Sequence, residues 1–151
     1  MRAVIQRVTS ASVTIDDRVT AEIEKGLLVL LGIKETDTPK DAAYIMNKIL
    51  KLRIFADELK PINADISQVD GELLLVSQFT LYADCSKGNR PSFIQAMSPD
   101  KAQPMYELFV AKIKELYPKT KSGVFGADMR VALVNDGPVT IVLDSQTLVA
   151  E

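Results

Sequence analysis

The sequence predicts an α+β domain in which a mainly antiparallel or mixed, barrel-like β-sheet carries two principal helices. Three observations lead there. Apolar side chains alternate with a period of two in the first third, helix starts of the Ser/Thr-Pro type occur twice, and apolar strand-like runs lie between and after those helices. Residues 1–151 are expected to form a single domain, since this length suits one core.

Each element has its own signal. Val13 and Ile15 alternate with polar neighbours, as do Val19, Ala21 and Ile23, so each of two strands buries one face. Asp16-Asp17 supplies the turn between them. Lys25-Gly26 leads into Leu27–Leu31, a continuous apolar run expected of a strand covered on both faces. Thr38 as N-cap and Pro39 at the first helical position open a helix whose apolar stripe is Ile45, Met46, Ile49, Leu50 and Leu52. Ser98-Pro99-Asp100 repeats the signal. Ala102, Met105, Tyr106, Phe109, Ile113 and Leu116 then share one face until Pro118 ends the second helix. Leu73–Val76, Arg130–Val134 and Val139–Leu143 read as strands. The order is not a regular βαβ alternation, and no glycine-rich phosphate fingerprint is present.

Composition narrows the chemistry. Apolar residues make up 47% and charged residues 25%, which suits a folded globular chain, and no apolar run is long enough for a membrane span. The start Met1–Val8 lacks the pattern of a signal peptide, so the cytoplasm is the expected compartment. Cys85 is the only cysteine and histidine is absent, which removes an internal disulfide, multi-cysteine metal sites and every Ser-His or Cys-His catalytic arrangement. The net charge of −2 counts against nonspecific grip on long nucleic acid but leaves room for a local basic patch that reads one RNA end.

Two polar strand ends stand out. Ser77-Gln78-Phe79-Thr80 follows an apolar strand and offers hydroxyls, an amide that can both donate and accept, and an aromatic wall. On residue types alone, a strand end with satisfied hydroxyls and a core phenylalanine is the commoner reading. Asn135-Asp136-Gly137-Pro138 lies between two strong strands and consists of ordinary turn residues, so a hairpin connection is its plain reading. Arg7 falls in the first strand, where it can face solvent or meet carbonyls or a phosphate. Lys87, Arg90, Lys112, Lys114, Lys119 and Lys121 can touch phosphates or simply form a solvated face. With no histidine to activate it, Cys85 is a poor nucleophile.

Ser77–Thr80 and Asn135–Thr140 are also where the chain resembles the D-aminoacyl-tRNA deacylase family, which carries Ser-Gln-Phe-Thr and Asn-x-Gly-Pro-Val-Thr motifs. The likeness extends through Ile5–Val8, Gly26–Gly32, Leu52–Phe55, Arg90–Phe93 and Phe125–Met129. It departs from the family at Ala83, Asp70-Gly71 and Asn63–Asp65, all outside the two motifs.

The resemblance implies a homodimer without cofactor or metal that hydrolyses the ester at the 3′ end of D-aminoacyl-tRNA, and glycyl-tRNA mischarged on tRNA-Ala. Neither DNA nor a membrane is an implied partner. Ser77, Gln78, Phe79 and Thr80 would form the catalytic pocket, with Phe125 and Met129 beside the terminal adenosine. Gly137-Pro138 would be cis and act in the other subunit as a filter against L-esters, with Arg7 bracing its loop. The substrate's own ribose hydroxyl would assist the chemistry, backbone N–H groups would steady the oxyanion, and Thr80 would position groups without attacking.

Overall fold

The structure, a computed structural model, describes residues 1–148; the last three positions of the expected domain lie outside the described residues. Six strands form one sheet: β1 (Arg2–Ile15), β2 (Arg18–Ile23), β3 (Gly26–Gly32), β4 (Glu72–Ser77), β5 (Thr120–Ser122) and β6 (Arg130–Asp144). Helices α1 (Pro39–Lys51) and α2 (Pro99–Leu116) are the two long ones. A single-turn helix, α3 (Ser145–Leu148), follows β6, and a 3₁₀ turn over Phe79–Tyr82 follows β4. The α+β class with a mixed sheet and two main helices is therefore the observed one.

β1 is the hub of the sheet. On one edge β3 pairs antiparallel with its Arg2–Val8 half and β2 with its Ala11–Ile15 half, while β6 runs along the other edge from Arg2↔Asp144 to Thr14↔Arg130. Beyond β3 the pairing becomes parallel, to β4 and then β5, so α1 and α2 lie in the crossovers that carry the chain back. The sheet curls on itself: Lys121 Nζ of β5 donates to Glu22 O of β2 at 2.6 Å, and Glu24 N donates to the Glu72 carboxylate of β4 at 2.7 Å. That closure makes it barrel-like.

The curl creates two cores. Leu27, Val29, Leu31, Leu73 and Leu75 face the helices and pack with Ile45, Ile49, Phe109 and Ile113. Leu28, Leu74 and Val76 face inward with Val8, Val13 and Ile23. The Leu27–Leu31 run is thus buried on both faces, as its unbroken hydrophobicity predicts. Each such side chain contributes about 1.5–3 kcal/mol on burial. On β1, Ala3 and Ile5 face the helices, whereas Ala11 and Val13 face the interior despite the same parity. The register shift between Val8 and Ser10 leaves Thr9 unmatched and flips the alternation.

Local signals explain the joints. Asp16 and Asp17 both adopt positive φ, 48° and 60°, the geometry of a two-residue hairpin turn matched to strand twist. Thr38 caps α1 with its N–H and hydroxyl both donated to Asp41 Oδ2 at 2.8 Å. The Met1 ammonium is buried against the Asp37 carboxylate and donates to Ser145 Oγ at 2.7 Å, tying α3 and the β3–α1 connection to the start of β1.

Several expectations change. Leu52 is extended and caps α1 instead of extending its stripe, and Leu116 is exposed. β5, three residues long and carrying a lysine, gives no periodic signal. The largest correction concerns Asn135–Pro138. The chain does not reverse there: Arg130–Asp144 is one strand, and both of its halves pair with β1 in the same direction.

Gly26 sits where β3 meets β4 too closely for a side chain, since a Cβ would lie 1.8 Å from Glu72 O. Gly26→Ala is expected to cost ~3 kcal/mol or more, read from the urea midpoint of unfolding, because backbone must move to make room. A midpoint equal to the parent's would show that the seam yields freely.

Candidate active site

The site begins where β4 leaves the core. Ser77 pairs with Leu31 at the end of the parallel ladder, and Gln78 N makes the last rung to Leu31 O at 2.8 Å. The backbone then tightens into the 3₁₀ turn, whose first amides, those of Phe79 and Thr80, have no backbone acceptor among the described residues. Gln78 Nε2 donates to Thr80 Oγ1 across this corner. The Phe79 ring is turned outward, 56% exposed, and meets Phe93 edge-on with centroids 5.1 Å apart at 74°.

Facing this corner is the Phe125–Met129 segment that precedes β6. Phe125 rests on Tyr106 with ring centroids 5.8 Å apart. Met129 lies directly over Gly123, where an added Cβ would come within 2.5 Å of its sulfur. Between the two walls is a cavity of about 600 Å³ lined by Ser77, Gln78, Phe79, Phe125 and Met129, with Leu31 and Val76 beneath. That volume falls within the roughly 300–1,000 Å³ of small-molecule sites.

The cavity is nearly free of titratable groups. Asp128 is the one ionisable side chain in its lining. Burial pushes the phenols of Tyr82 and Tyr106 well above their ordinary range, so neither is poised as a base. Among the described residues no cluster of His, Cys, Asp or Glu could hold a metal ion. Thr80 is exposed and lies outside the lining, and exposed Cys85 lies outside it too.

Arg7, Gly137 and Pro138 form a second, separate place. Between the pairs Gln6↔Thr140 and Val8↔Asn135, Arg7 alone of β1 faces four residues of β6, Asp136 to Val139, which bulge from the strand. Asn135 cinches the neck: its Oδ1 accepts from Val139 N at 2.8 Å, and its Nδ2 donates to Val139 O at 3.3 Å and Thr140 Oγ1 at 3.1 Å. The Arg7 guanidinium lies under the bulge and donates to Asp136 O and Ile54 O, each at 2.8 Å. At the exposed tip the Gly137–Pro138 peptide is cis. Gly137, at φ 156°, has no room for a Cβ, which would stand 2.6 Å from Val139 N. Neither tip residue lines the cavity of its own chain.

The structure thus brings five of the expected residues into one cavity and leaves Thr80 at its edge and three others elsewhere. Phe93, Ala96 and Ser98 are among the other residues of the wall. Phe93 follows Pro91-Ser92 in the sequence with no periodic signal, and Ala96 carries no chemistry of its own, so only the fold exposes their part.

Fold and cavity define an α+β domain with a concave site made of backbone, aromatic walls and mostly neutral side chains, Asp128 being the exception. Its sequence matches the model of the D-Tyr-tRNA(Tyr) deacylase family over residues 4–144, and the chain belongs to that family of hydrolases. It is 55% identical to a D-aminoacyl-tRNA deacylase of Flavobacterium johnsoniae, across 97% of this chain and 98% of the relative. It is 56% identical to one of Cytophaga hutchinsonii over the same shares. Among solved structures, the c-Myc DNA unwinding element binding protein superposes with a TM-score of 0.90 at 43% identity, covering 95% of this chain and 98% of that one. A probable eukaryotic D-amino acid tRNA deacylase shares the fold at a TM-score of 0.80 and 16% identity, covering 94% and 97%. Among the described residues no helix is long and apolar enough to cross a membrane.

Arg7→Met removes the donors to the two near carbonyls, those of Asp136 and Ile54, at once. We expect a loss of about 1–3 kcal/mol in chemical denaturation. Arg7→Lys should recover only part of it, since an ammonium lacks the fork that reaches both oxygens; full recovery would show that charge alone suffices.

Proposed function

We propose that this protein is an editing hydrolase that cleaves the ester between a D-amino acid and the terminal ribose of tRNA, releasing free D-amino acid and tRNA. The observation that carries the reading is the cavity at Ser77–Phe79: aromatic, sized for a nucleoside with a small ester, and attached to a chain of this family. Glycyl-tRNA mischarged on tRNA-Ala is a second substrate, because glycine has no side chain to be refused. Residues 1–151 act as one domain, two copies form the working homodimer in the cytoplasm, and no DNA partner is needed.

In this reading Ser77, Gln78 and Phe79 hold the terminal adenosine and the aminoacyl group, and Phe125 and Met129 flank the adenine. Water attacks the ester carbonyl and the amide N–H groups of Phe79 and Thr80 stabilise the oxyanion. The free ribose hydroxyl beside the ester orients and helps deprotonate the water, and the C–O bond breaks with the proton passing to the leaving ribose oxygen. The chemistry suits a cavity with no histidine and a single carboxylate, that of Asp128. Thr80 serves as a positioning residue through its hydrogen bond with Gln78.

Gly137 and Pro138 reject L-esters in the partner's cavity. Their exposure and their absence from their own chain's cavity lining support that role, and Arg7 and Asn135 hold the bulge that carries them. Discrimination by clash leaves the D side chain ungripped, so substrates of many side chains pass.

D-tyrosyl-tRNA and L-tyrosyl-tRNA separate the possibilities. Release from the D-ester alone is the expected result. Tight binding without release would make the protein a nucleic-acid-binding module, in keeping with the name of its c-Myc-element-binding neighbour. Gly137→Ala and Pro138→Ala are expected to admit L-tyrosyl-tRNA, and variants that spare it as fully as the parent would sink the filter. Thr80→Ala should retain measurable turnover; complete loss with binding intact would make Thr80 the nucleophile. Cys85→Ser should leave activity unchanged.

A further inference from the structure

Of the six basic residues that the sequence singles out, the structure disposes of two and sets two apart. Lys119 is paired with Asp70 at 2.7 Å, and Lys121 donates to Glu22 O across the sheet closure. Lys112 and Lys114 stand on α2, in the helical layer. Lys87 and Arg90 carry no ion pair or side-chain hydrogen bond among the described residues, and both are exposed.

These two cations sit on a short arm rooted in the cavity wall. Asp84 and Ser92 close the arm with a reciprocal backbone pair, Asp84 N to Ser92 O at 2.8 Å and Ser92 N to Asp84 O at 2.9 Å. One root comes directly from the 3₁₀ turn that carries Phe79. The other runs straight into Phe93, whose ring meets Phe79. Gly88 turns the tip at φ 75°, in open space where nothing lies within 4 Å of a Cβ position. Asp84, the arm's single acid, has its carboxylate engaged by Ser86 N at 2.9 Å at the arm's base, away from the tip. The arm therefore bears a net positive charge on a chain whose total is −2.

We propose that the Asp84–Ser92 arm is a second contact for the RNA, in which Lys87 and Arg90 take backbone phosphates of the nucleotides preceding the terminal adenosine. The inference rests on the tRNA reading of the cavity. A nucleoside seated against Phe79 and Phe93 leaves its 5′ phosphate at the rim, and the chain that continues from it must pass one of the surrounding walls. The arm extends the wall made by Phe79 and Phe93 and carries two cations with no ion pair or side-chain hydrogen bond among the described residues. Arg90 offers a fork suited to phosphate oxygens and Lys87 a mobile point charge. Such contacts position without reading sequence, and they release counterions.

The test compares D-tyrosyl-tRNA with the minimal ester 2′(3′)-O-D-tyrosyl-adenosine, which has no phosphates. In a Lys87→Gln/Arg90→Gln variant, kcat/KM on the tRNA should fall about tenfold or more in low salt, through KM. The slope of log kcat/KM against log salt should shrink by about one for each residue removed. Turnover of the minimal ester should match the parent, and Lys112→Gln/Lys114→Gln should leave both substrates unaffected. An unchanged salt slope on tRNA overturns the arm proposal, and so does equal damage to both substrates, which would mark the arm as mere support for the wall. Cleavage of neither substrate by the parent protein overturns the hydrolase reading instead. Binding of uncharged tRNA reads the same salt slope without any cleavage, so the arm is tested in that case as well.

Discussion

Everything in this fold follows from burying β3 and β4 on both faces. Leu27–Leu31 and Leu73–Val76 have no polar side to show to water, so one face must be covered by helices and the other by more sheet. The chain meets the first demand with α1 and α2, which sit in the crossovers that parallel pairing needs anyway. It meets the second by curling β1, β2 and β6 around the inner face. The cavity is a by-product of that arrangement: it opens where β4 runs out of partners and both layers end.

A site formed at a strand end inherits amides, hydroxyls and aromatic edges and few charges. That inventory suits the reading given to it. Under the proposed function, the lack of a strong base would shift the burden of proton movement to the substrate and leave the enzyme placement and a dipolar environment for the developing oxyanion. Placement is well supplied: Gln78 is fixed by its rung to Leu31, Phe79 by Phe93, and Met129 by the bare backbone of Gly123. Phosphate contacts on a separate arm would let affinity for the RNA and geometry at the ester be adjusted independently.

How much of this was legible in the sequence depended on the range of the interaction concerned. Both long helices announced themselves through Thr38-Pro39 and Ser98-Pro99, because caps and stripes are local, and the Asp16-Asp17 turn was legible for the same reason. The third helix and β5 were not, being too short to carry a period. Parallel pairing of β3, β4 and β5 was equally silent, since apolar runs do not state their direction. Asn135–Pro138 misled on residue types because Asn, Asp, Gly and Pro serve any tight detour, and only the register against β1 distinguishes a bulge from a reversal. The motif at Ser77–Phe79 was legible as a place, while its partners Phe93 and Ala96 reached the cavity through long-range packing that no local pattern encodes.

The bulge at Asp136–Val139 has one more consequence, for solubility. β6 is a long edge strand, fifteen residues, with Leu133, Val134 and Val142 exposed. A straight edge of that length is an open template for another strand and so for uncontrolled edge-to-edge growth. Four residues thrown out of register near its middle, one of them a proline without an N–H, divide that template into two short pieces. An added strand could follow either piece but not run through both. The same insertion that gives the loop its place also keeps the protein's longest edge from serving as the seed of a fibre.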